Sequence, residues 1–340
     1  MKKATLFTRD PYLGNKLFDT SDTVLNRDNC LYAFRLLRDR FAEEGIDLGT
    51  QDVNVPKESQ FVLYYDMPLV TQIVDSPQKY LLISECEVIR PDNWNLSYHR
   101  LFRKIFTWHD KYIDGRKYIK VNFPQYVPSA MDFSKHTREK LCGMVVAHKH
   151  SRHRLSLYEE REKALAWFDR HHPDEFDLYG YGWSECLFTR PFSRLNQSGL
   201  LRRLFRHRYR VYKGTAETKQ RVLEKHLFAI CYENARGIPG YITEKIFDCF
   251  SAGCVPIYLG APNVQDHIPT DTFIDKRYFK TYEELYRHIK SIPQEQYTCY
   301  LESIRDFLLS NRMHPFRAEY FVKTLVDTIL RDGVESGSYP

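Results

Sequence analysis

Apolar positions along the chain fall into two patterns, short unbroken runs and stripes at helical spacing. Ala4–Phe7, Gln60–Tyr65 and Tyr80–Ile83 are unbroken runs of strand length, and Lys104–Trp108 and Tyr118–Val121 are shorter extended candidates. Between the first two, a polar loop from Thr8 to Cys30 leads into an amphipathic helix over 31–44, with Leu31, Phe34, Leu37 and Phe41 at helical spacing. Residues 125–140 are rich in Pro, Ser and charge and read as a connection between domains. The alternation then resumes. Strands are predicted at Leu141–Ala147, Phe176–Tyr181, Leu227–Cys231 and Val255–Leu259. Helices are predicted at Leu157–Arg170, Thr215–Lys225, Thr243–Ala252, Tyr282–Ser291, Glu295–Leu309 and Phe316–Arg331. Alternating strands and helices predict two α/β layers, each around a parallel sheet.

Length and composition agree with that picture. At 340 residues the chain suits two domains. Hydrophobic residues at 43% and charged residues at 28% exclude a disordered chain. The net charge of +6 is modest, and no helix carries a long basic run, so it is a weak pointer to anionic ligands. Nucleic acid is not expected as a partner. The eight cysteines form no Cys-x-x-Cys pair and read as reduced core thiols of a cytoplasmic protein. The start of the chain has no apolar stretch of signal-peptide length, and no apolar run is long enough to span a membrane. A membrane contact, if there is one, is peripheral, on the inner face. The loop His148–Arg154 holds three histidines, but its interleaved Lys and Arg repel cations and no metal is expected there.

Chemistry concentrates at Tyr232–Gly260. A buried strand runs into a loop with Gly237, Pro239 and Gly240, whose backbone can approach a ligand closely. Thr243 suits an N-cap, and the next helix buries Ile246, Cys249, Phe250 and Gly253. Strand, glycine loop and helix start are where α/β folds bind phosphate. Glu244 and Lys245 fall in the first turn off the apolar stripe. There Lys245 can meet an anionic phosphate and Glu244 can accept from hydroxyls; a capped helix with surface charges is the plainer reading. A second pointer is Arg161, in the middle of the apolar stripe Leu157, Ala164, Leu165, Phe168. A charge there needs a partner, either a buried carboxylate or a diphosphate held by its forked donors.

These residues resemble glycosyltransferase family 10, the α-1,3/4-fucosyltransferases. The resemblance rests on Tyr232-Glu233-Asn234, on Gly240-Tyr241-Ile242-Thr243-Glu244-Lys245, and on Val255-Pro256-Ile257-Tyr258-Leu259-Gly260 with the following Ala261–Val264. Weaker matches are Tyr212-Lys213-Gly214, the Arg161 helix, Tyr179–Gly182, and Ser84-Glu85-Cys86-Glu87 with Trp94. It implies a GT-B fold, two Rossmann-like domains facing a central cleft. Residues 1–135 would bind the acceptor, 136–310 would bind the GDP-sugar, and 311–340 would form a helix packing back toward the first domain. The donor would be GDP-fucose, and the reaction an inverting transfer of L-fucose to a GlcNAc- or Glc-containing glycan. By position, Arg161 and Lys245 look like the diphosphate contacts, Asn234, Tyr241 and Glu244 look like donor contacts, and Glu85 looks like the general base. Glu87, Tyr212, Lys213 and Glu233 are further candidates for donor or acceptor contacts.

The residues themselves support Glu85. It follows the apolar run Leu81-Leu82-Ile83, at a strand's carboxyl end, and an inverting displacement needs one carboxylate to take the acceptor's proton. Glu87 is the runner-up. The chain has no Asp-x-Asp pair to hold a divalent ion, so Arg, Lys and a helix start would take its place and no metal would be required. Relative to the family, neither the membrane anchor of the animal members nor the heptad repeats of some bacterial ones is expected. The segment 200–210 is unusually basic, and either shields donor phosphates, touches an anionic membrane bearing a lipid-linked acceptor, or is a solvated loop. Two other readings stay open: the same fold using another GDP-sugar, and a glycan-binding protein without turnover.

Overall fold

The unbroken apolar runs become two all-parallel sheets. A computed structural model of the chain describes residues 1–76, 78–127, 133, 138–183, 198, 200 and 209–335. The first sheet contains β1 (Lys2–Phe7), β2 (Ile46–Thr50), β3 (Val62–Tyr65), β4 (Lys79–Ile83), β5 (Lys104–Thr107) and β6 (Tyr118–Lys120), in the order β2-β1-β3-β4-β5-β6. The second contains β7 (Lys140–Val145), β8 (Phe176–Tyr179), β9 (His226–Tyr232), β10 (Val255–Leu259) and β11 (Ile274–Asp275), in the order β11-β10-β9-β7-β8. Central strands are buried on both faces, which is why they read as continuous apolar runs rather than alternating ones.

Each strand order reverses once. In the first sheet the chain steps from β1 out to β2 and returns on the other side of β1 at β3. In the second it steps from β7 to β8 and returns on the other side of β7 at β9. Such reversals open a space outside the carboxyl ends of the strands, where α/β folds hold their ligands.

The chain divides into two compact units. Residues 1–128, 238–244 and 310–340 form one; residues 129–237 and 245–309 form the other. In the first unit, α1 (Tyr32–Glu43) buries Ala33, Phe34, Leu37 and Phe41. They pack in one cluster with Phe321, Val322, Leu325, Val326 and Ile329 of the last helix, Ala318–Glu335. That helix is further tied to the sheet by Asp332, 2% exposed, which pairs with Arg103 at 3.0 Å and Lys104 at 3.3 Å. In the second unit, α2 (Tyr158–His171) buries Tyr158, Arg161, Ala164, Leu165 and Phe168. The short helix α3 (Glu244–Ser251) buries Ile246, Phe247, Cys249 and Phe250.

The structure departs from the sequence reading in a few places. β2 was not predicted, because Ile46–Thr50 is short and carries Gly49. The helix expected over 215–225 is only Lys219–Leu223, since Thr218 caps it by accepting from the Arg221 N–H at 3.3 Å. The seven described cysteines are all free thiols, but Cys30 and Cys299 are exposed rather than buried. Most of the basic segment at 200–210 and of the stretch at 125–140 lies outside the described residues.

A buried contact between an imidazole and a carboxylate crosses the second sheet. Gly143 on β7 pairs with Asp177 on β8 and Ala229 on β9, and a Cβ there would meet the His226 ring at 2.9 Å. The imidazole uses that space: Nε2 lies 3.4 Å from Asp177 Oδ2, and Nδ1 donates to the Val222 carbonyl at 2.8 Å. Burial pushes the Asp177 carboxyl up, but His226 and the charges of Lys213 and Lys140 outweigh it and hold it below its usual value.

Two stability measurements follow from this packing. Leu325→Ala is expected to cost about 3 kcal/mol, read as a lower urea midpoint; an unchanged midpoint would remove the last helix from the core. Because the folded Asp177 value lies below the unfolded one, its contribution is present above roughly pH 4 and is lost as pH falls through the folded value. Asp177→Asn should therefore lower the thermal midpoint at neutral pH, with the gap to the parent closing in acid. A gap of the same size at both ends of that range would contradict the assignment.

Candidate functional site

In the second unit, the candidate residues gather where the strand order reverses. Tyr232-Glu233-Asn234 leaves the carboxyl end of β9, the central strand. Its backbone is held from both sides: the Glu233 N–H donates to the Leu259 carbonyl at 2.9 Å, and the Leu157 N–H donates to the Asn234 carbonyl at 3.1 Å. Arg161, 4% exposed on α2, reaches the same point. Its Nη2 donates to the Tyr232 carbonyl at 2.6 Å and to Asn234 Oδ1 at 3.1 Å. The guanidinium carbon also lies 5.1 Å from the centre of the Tyr158 ring. A carboxylate or a diphosphate was expected opposite Arg161; the partners seen here include a carbonyl, an amide oxygen and an aromatic face.

Lys245 sits in the first turn of α3. Its Nζ lies 3.4 Å from Glu233 Oε2, with Glu233 fully buried and the lysine side chain 19% exposed. The two cations are therefore anchored on consecutive residues, Lys245 on Glu233 and Arg161 on Asn234. Glu233 also explains Gly260 at the end of β10. A Cβ there would come within 2.5 Å of Glu233 Cγ and 2.6 Å of the Tyr258 hydroxyl, so only glycine leaves room for the carboxylate. Burial first, and then the Glu233 charge, push the Tyr258 hydroxyl well above its usual value, so it stays protonated. Glu244 opens α3 and is half-buried, and Thr243 before it is buried. Tyr212 and Lys213 lie elsewhere, beside β8: the Tyr212 hydroxyl donates to the Gly180 carbonyl at 3.0 Å and Lys213 Nζ is 3.7 Å from Asp177.

In the first unit, Glu85 is half-buried in the turn that follows β4. Asp66, at the end of β3, clamps that turn. Its Oδ1 accepts from the N–H groups of Ser84 at 2.8 Å and Glu85 at 3.2 Å and from Asn93 Nδ2 at 2.8 Å, while Oδ2 accepts from the Ser84 hydroxyl at 2.9 Å. The Glu85 carbonyl accepts from Asn93 Nδ2 and from Trp94 Nε1, each at 3.1 Å, and the Ser84 carbonyl accepts from Trp108 Nε1 at 2.9 Å. Glu87 stands half-buried in the same turn.

Tyr241 belongs to this unit as well. It is 1% exposed, its ring centre 4.6 Å from that of Trp108 and 6.0 Å from that of Phe123. Its hydroxyl meets Cys86, whose thiol burial pushes up despite that contact. Tyr241 can enter because Gly240 adopts φ +78°; a Cβ at Gly240 would lie 2.4 Å from the Trp108 carbonyl. His109 stacks on Trp108, and burial pushes it down to about 4, so near neutrality it is uncharged and a weak base.

Asp66, Asn93 and Trp108 were not among the residues singled out from the sequence. Asp66 carries the same signal that pointed to Glu85, a carboxylate directly after an apolar strand. Asn93 and Trp108 carry none, because their roles depend on which loops the sheet brings together. Among the described residues, no group of three His, Cys, Asp or Glu side chains is placed to hold a metal ion, and no helix is long and apolar enough to cross a membrane.

Comparison with known proteins places these features. Residues 194–319 match the model of glycosyltransferase family 10 (fucosyltransferase), C-terminal region. The chain is 31% identical over 110 residues to alpha-(1,3)-fucosyltransferase FucT of Helicobacter pylori, covering 32% of this chain and 22% of that protein. It is 37% identical over 70 residues to an alpha-(1,4)-fucosyltransferase of Arabidopsis thaliana, covering 21% of this chain and 17% of that protein. The matches thus span about a fifth of these relatives' length. In fold, the chain is similar over 97% of its length to the crystal structure of an alpha1,3-fucosyltransferase with GDP-fucose, covering 90% of that chain with a TM-score of 0.53 at 14% identity. The two parallel-sheet units have the GT-B fold, and residues 194–319 are similar to the C-terminal region of glycosyltransferase family 10.

Proposed function

We propose that this chain transfers L-fucose from GDP-fucose to a hydroxyl of a GlcNAc- or Glc-containing glycan, in α-1,3 or α-1,4 linkage and with inversion. The observation that carries the reading is the anchored pair of cations at the carboxyl end of β9, where Lys245 and both anchors, Glu233 and Asn234, lie inside the stretch that matches the fucosyltransferase C-terminal region and Arg161 reaches them from α2. Relatives named as fucosyltransferases, and a fold neighbour solved with GDP-fucose, support the donor.

In this reading the donor's diphosphate lies at Lys245 and the start of α3, where a cation and aligned backbone N–H groups favour an anion. Arg161 adds positive charge from its buried position and fixes the Asn234 amide, which together with Glu244 meets donor hydroxyls. Glu233 sets the Lys245 ammonium in place. Tyr241 holds the glycine loop, and Tyr212 and Lys213 are further donor or acceptor contacts. Glu85 takes the proton from the acceptor hydroxyl, with Glu87 as the neighbouring carboxylate. The acceptor oxygen bonds to C1 of fucose as the C1–oxygen bond to the β-phosphate breaks, and GDP leaves with the electron pair. The negative charge that develops on the leaving oxygen is met by Lys245, Arg161 and the helix start, so the step asks for no metal ion.

The acceptor is found by a glycan screen with GDP-fucose and mass detection, followed by linkage analysis of the product. Transfer of fucose to a GlcNAc- or Glc-containing acceptor is expected. Consumption of another GDP-sugar in place of GDP-fucose would replace the donor, and GDP-fucose binding without turnover would leave a binding protein. Glu85→Gln is expected to lower kcat by about 10²-fold to 10⁴-fold while GDP affinity stays within about twofold. Equal losses of both would remove Glu85 from the proton transfer.

A further inference from the structure

We infer that Asp66 is a positioning residue for the Glu85 carboxylate, acting through the backbone of the Ser84-Glu85 dipeptide; this rests on the reading of Glu85 as the base. Four backbone polar groups belong to that dipeptide, and all four are held by side chains. Asp66 accepts from both N–H groups, Trp108 Nε1 donates to the Ser84 carbonyl, and Asn93 and Trp94 both donate to the Glu85 carbonyl. The ladder between β3 and β4 ends just before this point, where the Asp66 N–H donates to the Leu82 carbonyl at 2.8 Å. Beyond it, the turn would be free to sample other conformations if it relied on backbone pairing alone.

Asp66 is built for this task at a local cost. It is 5% exposed and sits at φ +62°, a left-handed conformation that non-glycine residues rarely adopt. Strained backbone of this kind persists where the surroundings over-determine it, and it gathers at functional sites. A buried carboxylate needs several donors to be tolerated. Here it has four: two backbone N–H groups, the Ser84 hydroxyl and the Asn93 amide. Asn93 in turn is fixed, since its Oδ1 accepts from the Met67 N–H at 2.7 Å and its carbonyl accepts from His99 Nε2 at 2.7 Å. His99 is itself braced, its Nδ1 2.9 Å from the Tyr118 hydroxyl. The network therefore runs from β6 to the turn and fixes the backbone from which the Glu85 side chain projects.

A proton acceptor works only within a narrow range of distance and angle, so loosening this turn should slow the chemical step without weakening the donor's hold. The test is Asp66→Asn in the full chain, assayed for fucose transfer and for GDP binding by calorimetry. The substitution keeps shape and one acceptor oxygen, and removes the charge. The expected result is a fall in kcat of about tenfold to a hundredfold, with GDP affinity and the KM for GDP-fucose within about twofold of the parent. A kcat within threefold of the parent would overturn the inference. So would a parallel loss of kcat and GDP affinity, which marks a general structural role. Should Asp66→Asn fail to fold, Ser84→Ala decides, because it removes the Oδ2 contact and the hydroxyl's contact with Tyr65 but leaves both backbone N–H bonds to Oδ1. A fall in kcat of about fivefold at unchanged KM supports the inference, and an unchanged kcat overturns it. Glu85→Gln is assayed alongside: if it keeps the parental kcat, the reading of Glu85 as base fails, whatever Asp66 does.

Discussion

The buried guanidinium of Arg161 is the constraint around which the second unit is arranged. A full charge at 4% exposure is tolerated only with strong hydrogen bonds, and Arg161 takes them from the end of β9. This ties α2, which follows β7, to the strand on the far side of β7. The reversal of strand order between β7 and β9 is thus fastened by an ionic side chain rather than by apolar packing alone. Glu233, Lys245 and Gly260 follow from it: the strand end it fixes carries Glu233, the carboxylate holds Lys245, and the room for that carboxylate exists because residue 260 has no side chain.

The first unit reaches the same end by a different route. Its turn after β4 is held by a carboxylate, an amide and two indoles, with the Arg90 guanidinium nearby feeling the charges of Asp66 and Glu85. The choice suits the chemistry proposed for each unit. A cation fixed beside a strand end attracts a diphosphate, whereas a base needs a carboxylate held at a fixed angle to its acceptor. The aromatic wall of Trp94, Trp108, His109 and Tyr112 adds bulk around that turn without adding charge, since burial keeps His109 neutral.

Much of the fold was legible because parallel strands buried on both faces leave unbroken apolar runs, and most strands and helices lie within a few residues of their predicted places. β2 was lost because a short run with Gly49 in it carries no clear period. The anomaly at Arg161 was legible as a charge on an apolar stripe; its partners were not, since a main-chain carbonyl leaves no mark on the sequence. Lys245 was legible as a cation at a helix start, while the burial of Glu233 beneath it was not. Asp66 could have been found by the rule that found Glu85. Asn93 and Trp108 could not, because only the sheet order brings their loops together.

The central claim is that the end of β9 and the start of α3 form a diphosphate site. Calorimetric titration of the chain with GDP and with guanosine, repeated on Lys245→Gln, tests it most directly. The account predicts that GDP binds about a hundredfold more tightly than guanosine, and that most of this difference disappears in the variant while guanosine binding is unchanged. Equal affinities for GDP and guanosine in the parent chain, or a difference that survives in Lys245→Gln, would contradict it.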